Sequence, residues 1–561
     1  MVAGARTFTL EDTFLEPQVL NPPPTRHALL VFLLALAAVL HLASAGWSDL
    51  YDGTEGQFAG GAREMLETQQ WFVPTNNNVP QLQNPPLVYW LIVLSYKIFG
   101  VSAAAARAPI AIAMIASVAL TFLIGERLAN YWRGFAAGLI YLCSAGAFLP
   151  GRIVTPDAVF AAFIAGAIFC AVCGYQRRRF RRAWFAGVWL CAALACLSKG
   201  PAALIYLAAL FVLLAIFFRE ARLRFRLLLH WTYLIPFLLL VAPWFVWTEN
   251  HFPGFFLRSL TGSNESRLPA WQFAALHLAW WFPACLLALP GLLFAARRII
   301  RPREIVFGDT LPLCWMAVGF LPLLLIGDRS AFASMSMWSA FALWAASAWD
   351  RTPRPLRAGA IGVLIFAGAS VAAIAFFAPE FLEKTGVQNV PRPLFQFAGL
   401  ALLIISLVAL YFSAKDRPEI ALFVVLGSMV PIGLCLAEGA ARLAPLFSLA
   451  DAARFLNPRL GGNGHVLFEG PPRRASSLTF YLNRKFFLVN QAPDFFDRTD
   501  VAREKYLDEN FVLTEWDRAA PLFLIVEQSR LPHWQKLVTA RVHIYHQVTT
   551  CGSYVVLSNQ L

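Results

Sequence analysis

Long apolar runs recur along most of this chain and restrict it to few folds. A bilayer core of about 30 Å requires roughly 20 mostly apolar residues per helix, and about thirteen runs approach that length. They occupy residues 28–47, 105–124, 134–149, 158–175, 183–198, 201–218, 230–247, 274–295, 309–326, 334–349, 357–377, 393–413 and 419–437. Hydrophobic residues make up 58% of the chain and charged residues 14%, which excludes an ordinary soluble globular protein. The sequence therefore predicts a polytopic α-helical membrane protein with about 13 transmembrane helices.

Lysine and arginine are distributed unequally among the short loops that join these runs. When alternate loops are grouped, one set contains 20 lysines and arginines and the other contains 7. Because loops rich in lysine and arginine resist translocation, the set with 20 is expected to be cytoplasmic. The tail 1–27 is then cytoplasmic, and the first run is expected to be an uncleaved anchor because no small-residue cleavage site follows it. The net charge of +13 is spread over six loops, so it indicates topology and not a nucleic-acid partner.

Two segments outside the membrane are longer than simple connectors. The membrane domain is expected to span residues 28–437, and its first extracytoplasmic loop covers 48–104. An aromatic run within that loop, at residues 89–96, suits a helix lying in the membrane interface. The segment 438–561 has ordinary polarity and four β-prone patches with helix-compatible stretches between them. It is long enough for a small extracytoplasmic α/β domain.

The cysteines give no sign of a disulfide or a metal centre. Eight of the nine lie in apolar runs, where a thiol behaves as a small hydrophobic group. Cys551 stands alone in the C-terminal segment, and the pair Cys170 and Cys173 has no further ligands nearby in sequence. We expect neither a disulfide framework nor a cysteine metal site.

Charged residues at helix ends on the outer face are the candidates for chemistry. They include Asp52, Glu55, Asp157, Lys199 and Arg329. A carboxylate can deprotonate a hydroxyl nucleophile, and a cation can stabilise a departing phosphate. Taken singly, each has an ordinary alternative role, as a surface acid, a helix N-cap or a lysine that reaches the interface. Their common position on one membrane face favours a shared site.

Several short motifs occur in a fixed order along the first 201 residues. They are an acidic, glycine-containing loop at 52–56, Arg63-Glu64-Met65, Pro85-Pro86 with Tyr89-Trp90, Arg152-x-x-Thr155-Pro156-Asp157, and Lys199-Gly200-Pro201. Together these motifs resemble the GT-C glycosyltransferases. Among these, the bacterial 4-amino-4-deoxy-L-arabinose lipid A transferases and the protein O-mannosyltransferases are the most similar. The resemblance covers roughly residues 28 to 350.

The resemblance implies a reaction and its partners. A GT-C enzyme of the bacterial inner membrane would move a sugar from a polyprenyl-phosphate donor to an acceptor hydroxyl on the periplasmic face, with inversion at the anomeric carbon. The implied partners are the lipid-linked sugar, a lipid, glycan or protein acceptor, and membrane lipids. No cofactor is implied. The sugar, the acceptor and the oligomeric state stay open.

The resemblance also suggests roles for individual residues. Aligned on Arg63-Glu64-Met65, the Asp-Glu pair of the family falls on Thr54-Glu55, so Glu55 is expected to be the base or its closest partner, with Asp52 second. Asp157 matches a second family acid that organises the site. Lys199 matches the lysine near the donor phosphate.

The remaining expected site residues have less specific roles. Arg63, Arg267 and Arg329 are expected to add positive charge near the donor phosphate, since guanidinium binds phosphate bidentately. Asn84 and Tyr89 are expected to position the first loop or the acceptor.

Two departures from the aminoarabinose transferases argue against their reaction. Where those enzymes carry Glu-Lys-Pro, this chain has Gln83-Asn84-Pro85, and the histidine that precedes their Pro-Trp is missing before Pro269-Ala270-Trp271. If that glutamate and histidine hold a metal in the relatives, both ligands are absent here. We therefore expect no metal and no transfer of aminoarabinose to lipid A.

Two alternatives from other functional classes are open. A lipid-linked sugar transporter or flippase would also have many spans with few charges, although it should show repeated halves or paired broken helices. A noncatalytic envelope assembly protein could have kept the fold and lost the site, which the change at Gln83-Asn84 permits.

Overall fold

The computed structural model describes residues 24–176, 180–257, 268–288, 291, 306–325, 329–378, 380–381, 389–492, 504–517, 520–540 and 544–560. Its first part is helical. The helices there are α1 (Pro24–Leu42), α2 (Glu55–Thr68), α3 (Leu87–Phe99), α4 (Ala103–Leu128), α5 (Tyr131–Leu142), α6 (Ala145–Phe148), α7 (Pro156–Gln176), α8 (Arg181–Lys199), α9 (Ala202–Phe217), α10 (Arg219–Phe225), α11 (Trp231–His251), α12 (Ala270–Trp280), α13 (Phe307–Leu325), α14 (Trp338–Arg351), α15 (Arg354–Phe377), α16 (Arg392–Ala414) and α17 (Pro418–Leu443).

Many of these helices are able to cross a bilayer. Within the described ranges, eight are long and apolar enough, namely α1, α4, α7, α11, α13, α15, α16 and α17. The pair α5 and α6, bent by 55°, forms a ninth candidate if it is one span. The helix α9 is apolar but shorter, and the predicted run 274–295 extends beyond the described residues. The multi-pass helical character is thus confirmed, whereas the total of about thirteen spans stays a prediction.

Local signals fix the helix ends that carry site residues. The helix α4 begins after Ser102, whose side chain accepts a hydrogen bond from the backbone N–H of Ala105, as a good N-cap does. The helix α8 ends at Lys199 because Gly200 follows with φ of 102°, a conformation that glycine adopts without strain. Lys199 is therefore held at the end of its helix.

The first loop folds into α2, a short hairpin and α3. The hairpin pairs β1 (Thr75–Asn76) with β2 (Val79–Pro80) in antiparallel fashion. The rings of Phe58 on α2 and Tyr89 on α3 lie 5.2 Å apart between centroids. Leu94 and Ile98 are 55% and 64% exposed on α3, as expected for a helix at an apolar interface.

The chain after α17 forms a sheet with helices on both faces. Its elements are α18 (Ala450–Leu456), β3 (His465–Glu469), α19 (Ser476–Tyr481), β4 (Phe487–Val489), β5 (Tyr506–Leu507), α20 (Glu509–Trp516), β6 (Leu522–Glu527), α21 (Leu531–Ala540), β7 (His546–Cys551) and β8 (Tyr554–Ser558). The strand order is β5-β4-β3-β6-β8-β7. The four strands β5, β4, β3 and β6 run parallel to one another. The strand β8 runs antiparallel to both of its neighbours, β6 and β7.

Side-chain alternation divides this sheet into two buried faces. Val466 and Phe468 on β3 pack with α18 and α19 on one face. Leu467, between them, packs on the other face with residues of α20 and α21. The helix α19 also meets α2 of the first loop on its opposite side. The C-terminal sheet is therefore joined to the first loop through α19.

Two glycines on α2 allow this close approach. A Cβ placed on Gly56 would lie 2.4 Å from the backbone nitrogen of Ser477, and one on Gly60 would lie 3.1 Å from the Cβ of Thr479. A spacing of four residues places both glycines on one side of the helix. Any larger residue at position 56 would push against the α19 backbone, so glycine is required there for contact.

Candidate active site

Glu55 begins α2 and is completely buried, with 0% of its surface exposed. Its carboxylate accepts hydrogen bonds from Arg107 Nε and Nη2 at 2.8 and 2.6 Å. It also accepts from the backbone N–H groups of Tyr51 at 3.0 Å and Val154 at 3.1 Å. An ionised carboxylate has about four acceptor positions, so these contacts use all of them. Glu55 therefore joins the first loop, α4 and the segment before α7.

Arg107 is the buried counter-ion of Glu55, with 5% of its surface exposed. Besides the carboxylate, its Nη1 donates to the carbonyls of Ala45 and Ser48 at 2.8 and 2.7 Å, and its Nη2 donates to the carbonyl of Asp49 at 3.0 Å. A guanidinium has five N–H donors, and all five are engaged. Arg107 thus fixes the chain between α1 and α2.

Asp157 and Lys199 form a second ion pair. Lys199 Nζ lies 2.5 Å from Asp157 Oδ1, and Asp157 is 6% exposed in the first turn of α7. Asp157 follows Val154, which donates to Glu55, by three residues. The structure therefore links the three residues Glu55, Asp157 and Lys199, which the sequence analysis assigned to one site, through the segment 153–157.

A cavity of about 250 Å³ opens beside Glu55. Its polar lining includes Tyr51, Glu55, Arg107 and Arg152. Its apolar lining includes Trp47, Phe148, Leu443 and Phe447. The cavity is thus bounded by the first loop, the segment before α7, the C-terminal end of α17 and the link to the C-terminal sheet.

Asp52 is directed toward the C-terminal segment. Its carboxylate accepts hydrogen bonds from the backbone N–H groups of Ser477 at 2.6 Å and Leu449 at 3.2 Å, and from the hydroxyl of Ser476 at 3.4 Å. Its own N–H donates to the carbonyl of Phe447, a cavity-lining residue, at 2.8 Å. Burial raises the pKa of Asp52 to about 7, although the hydrogen bonds from Ser477 and Leu449 act to lower the pKa. Asp52 therefore titrates near neutral pH.

Two of the residues expected near the donor or acceptor have packing contacts. Arg63 donates from Nε to Glu67 at 2.8 Å and from Nη1 to the carbonyl of Phe480 on α19 at 2.5 Å. Tyr89 is 1% exposed and packs on Phe58 of α2, and its role in positioning the loop stays a prediction. Asn84 is half-buried just before α3. The contacts of Arg63 join the first loop to the C-terminal segment.

The two remaining arginines lie on a later loop. Arg329 is half-buried, and its Nε makes no hydrogen bond within the part of the chain that the structure describes. Its carbonyl accepts from the N–H of Leu268 at 3.2 Å. Arg267 lies outside the described residues. Their expected contact with a phosphate stays a prediction.

Gln83, at the position where the aminoarabinose transferases carry an acid, makes polar contacts as a neutral amide. Its Oε1 accepts from Gln57 Nε2 at 3.1 Å and from Arg473 Nη2 at 2.7 Å. Arg473 belongs to the loop between β3 and α19. This amide therefore forms another contact between the first loop and the C-terminal sheet.

Two histidines, His251 and His277, make local contacts. His251 Nδ1 lies 2.8 Å from the carbonyl of Trp247, and His277 Nδ1 lies 2.5 Å from the carbonyl of Phe273. Among the residues that the structure describes, no three His, Cys, Asp or Glu side chains form a group suited to a metal ion. The expected absence of a metal stays a prediction.

The sequence analysis missed two arginines of the site. Arg107 lies inside the apolar run 105–124, and a charge within such a run is itself a signal of function. Arg152 was named as the first residue of the motif that ends in Asp157, but it was given no role in the site. A local sequence pattern predicts neither the position of Arg152 on the cavity wall nor the pairing of Arg107 with Glu55.

Comparison with known families agrees with this architecture. Residues 83–247 match the family described as dolichyl-phosphate-mannose-protein mannosyltransferase. The undecaprenyl phosphate-alpha-4-amino-4-deoxy-L-arabinose arabinosyl transferase 2 of Proteus mirabilis is 26% identical over 314 residues, covering 52% of this chain and 54% of the relative. The chain spans about half the length, or less, of the curated relatives it matches.

Solved structures resemble the chain over nearly its whole length. The crystal structure of ArnT from Cupriavidus metallidurans in the apo state has a TM-score of 0.77 and 18% identity, and covers 95% of this chain and 98% of ArnT. The same protein bound to undecaprenyl phosphate gives a TM-score of 0.76 at 19% identity over the same shares. The resemblance to the aminoarabinose transferases is thus confirmed, and the fold is shared.

Proposed function

Because the chain has the fold of the GT-C glycosyltransferases, we propose that it moves a sugar from a polyprenyl-phosphate donor to an acceptor hydroxyl on the extracytoplasmic face. One observation carries this proposal. Glu55, Asp157 and Lys199 come from three separate segments, and their contacts converge on residues 153–157. Charges near an apolar core are costly unless paired and are usually functional. Such a cluster on the outer face suits group transfer.

The donor class follows from the chemistry that the similar proteins share. The matched family is named for dolichyl-phosphate-mannose, and the Proteus mirabilis relative for an undecaprenyl-phosphate sugar. Both names describe a sugar joined to a long isoprenoid alcohol through phosphate. The proposal is limited to this shared class, and the sugar and acceptor are left open.

We assign the base to Asp52 and a positioning role to Glu55. All four acceptor positions of Glu55 are occupied, two of them by Arg107. Glu55 could therefore accept a proton from the substrate only if its buried ion pair with Arg107 were broken. Asp52 is half-buried, and its pKa of about 7 lies near the operating pH, where general-base catalysis is most efficient. Asp52 is not itself among the residues that line the cavity, but its backbone N–H donates to the carbonyl of Phe447, which is.

The reaction then proceeds as a single displacement. Asp52 takes the proton of the acceptor hydroxyl, and the oxygen attacks the anomeric carbon of the sugar. The bond from that carbon to the phosphate oxygen breaks, and its electron pair remains on the phosphate. The products are a glycoside of inverted configuration and polyprenyl phosphate. Asp157 and Lys199 hold the adjoining segment 153–157 against Glu55.

A noncatalytic role in envelope assembly is the second candidate. Thr54 stands where the family carries the aspartate of its Asp-Glu pair, and Glu55 is saturated by structural contacts. These two features favour a protein that kept the fold without the reaction. The experiment below separates the two candidates.

The test uses membranes that contain the full-length protein and a panel of undecaprenyl phosphates carrying different radiolabelled sugars. We expect label to pass from at least one donor to an envelope acceptor. Asp52→Asn should abolish this transfer while the protein stays folded. Asp451→Asn, which neutralises a carboxylate with a 52% exposed side chain in the C-terminal sheet domain, is the matched control and should leave transfer unchanged.

Three results would overturn the proposal. Movement of intact donor across the bilayer without transfer indicates a flippase. Absence of both processes with the whole panel supports the noncatalytic role. Full transfer by Asp52→Asn refutes the assignment of the base.

A further inference from the structure

Arg152 is a half-buried arginine on the cavity wall with hydrogen-bonding capacity to spare. Its Nη2 donates to the carbonyl of Leu40 at 2.7 Å. Its Nε is buried and makes no hydrogen bond among the described residues, and no carboxylate of the same ranges forms an ion pair with it. A desolvated charge without a counter-charge is costly. Arg152 therefore suits an anionic ligand.

His41 adds a second unsatisfied group beside Arg152. It follows Leu40, which accepts from Arg152, and only 3% of its surface is exposed. Both of its ring nitrogens are buried without a hydrogen-bond partner in the described part of the chain. Buried polar groups are nearly always hydrogen-bonded in native proteins. His41 is not among the residues that line the cavity, so Arg152 is the member of this pair that can meet a ligand there.

The other cations of the region are already engaged. Arg107, the second arginine on the cavity wall, uses all five donors on Glu55 and backbone carbonyls. Lys199 is paired with Asp157. Arg152 is thus the cavity-lining cation that is left to bind an anion.

The cavity suits the head of an amphiphile. Its volume of about 250 Å³ is below the ~300–1,000 Å³ typical of sites that enclose a whole small molecule. Trp47 and Phe447 on its wall are 48% and 58% exposed, so apolar surface continues from the cavity to the outside. A charged head can bind inside while a long apolar chain lies along that surface.

We propose that Arg152 binds the phosphate of the lipid-linked donor in this cavity. The choice of this lipid rests on the proposed function. The guanidinium forms charge-assisted hydrogen bonds to the phosphate oxygens, and these strengthen as the phosphate gains charge during sugar transfer.

The test measures binding of sugar-free undecaprenyl phosphate to the full-length protein in lipid nanodiscs. Arg152→Gln should weaken binding about tenfold or more, since a hydrogen bond to a charged group is lost, and Arg152→Lys should restore part of it. Arg442→Gln removes the same charge from an arginine with a 57% exposed side chain at the end of α17 and should bind as the wild type does. Undecaprenol, which lacks the phosphate, should bind equally to all four proteins.

Several outcomes would overturn this inference. Equal binding of the lipid by the wild type and Arg152→Gln refutes it, as does inorganic phosphate that competes as strongly as the lipid. If Arg152→Gln fails to fold, Arg152→Lys decides, and binding of undecaprenyl phosphate by Arg152→Lys as tight as that of the wild type would then refute the guanidinium–phosphate contact.

Binding of a sugar-free lipid does not require transfer, so the two proposals fail separately. Binding that depends on Arg152 without transfer by any donor leaves this site standing and refutes the reaction. If transfer depends on Asp52 but binding of the lipid does not depend on Arg152, the proposed reaction is supported and the phosphate site is refuted.

Discussion

Replacing Glu55 with glutamine tests the role of the buried carboxylate most directly. The change keeps the shape of the side chain and removes its charge. One oxygen of the amide can still accept two hydrogen bonds, but its NH₂ group then faces a donor of Arg107 together with the backbone N–H of either Tyr51 or Val154. Arg107, 5% exposed, would be left as a buried cation without a counter-ion.

The expected cost follows from these contacts. Removing one partner of a buried, hydrogen-bonded ion pair typically costs about 3–5 kcal/mol, and the free energy of unfolding of Glu55→Gln should fall by that amount. Glu67→Gln is the matched control on the same helix, because Glu67 has a 54% exposed side chain and pairs only at the surface with Arg63. Its effect should stay within about 0.5 kcal/mol.

A double-mutant cycle isolates the pair. Glu55→Gln, Arg107→Gln and the double variant are unfolded reversibly in mixed micelles, and tryptophan fluorescence reports the transition. Because the two side chains share two hydrogen bonds, the double variant should lose about 1–3 kcal/mol less than the sum of the single losses. Transfer by Glu55→Gln should fall together with its stability.

Additive losses, with a coupling energy below about 0.5 kcal/mol, would refute the claim that Glu55 holds the loop through Arg107. A different failure would be equally informative. If Glu55→Gln lost transfer while keeping wild-type stability, Glu55 would be the base and Asp52 would not.

Three further predictions concern the contact between the first loop and the C-terminal sheet. Gly56→Ala should weaken the contact and expose the link after α17 to protease, since its Cβ would lie 2.4 Å from backbone; Gly462→Ala, in open space, is the control and should be cut like the wild type. The pKa of Asp52 is raised from 3.8 to about 7, so the folded state holds its proton more tightly than the unfolded state, and this stabilising contribution is lost as pH rises from about 4 through 7. Unfolding measured across that range should show a fall that Asp52→Asn removes; an unchanged slope would count against the burial of this carboxyl. Asn77→Ala should cost about 1–3 kcal/mol, because the Asn77 amide exchanges hydrogen bonds of 2.7 and 3.2 Å with the backbone of Phe486; unaltered hydrogen exchange at Phe486 would contradict this.

These contacts make the C-terminal segment part of the site's support. Asp52 and Arg63 bind the two ends of α19, and Lys485 pairs with the buried Glu64 of α2 at 2.7 Å. The first loop is therefore held by Arg107 of α4 and, through separate contacts, by the C-terminal sheet. A displaced sheet domain would move Asp52 and Phe447 together, and with them one wall of the cavity.

Much of the fold could be predicted from local patterns in the sequence. Apolar runs of membrane length identify helices such as α4, α7 and α17 without any knowledge of their neighbours, because each span must satisfy its own backbone hydrogen bonds. The acids Asp52, Glu55 and Asp157 were recognisable as candidates for a similar reason, since a charge beside an apolar run is unusual. Short β-prone patches also marked the strands β3, β6 and β8 within the last segment.

What each charge contacts was decided only by the tertiary structure. Asp52 accepts from Ser477, 425 positions away, and Glu55 pairs with Arg107, 52 positions away. Hydropathy depends on the residues within one helix, whereas a partner is set by how separate segments pack. The sequence alone therefore determined the multi-pass helical architecture and the candidate acids, and packing decided that Glu55 is saturated by structural contacts and that Arg152 has donors free for a ligand.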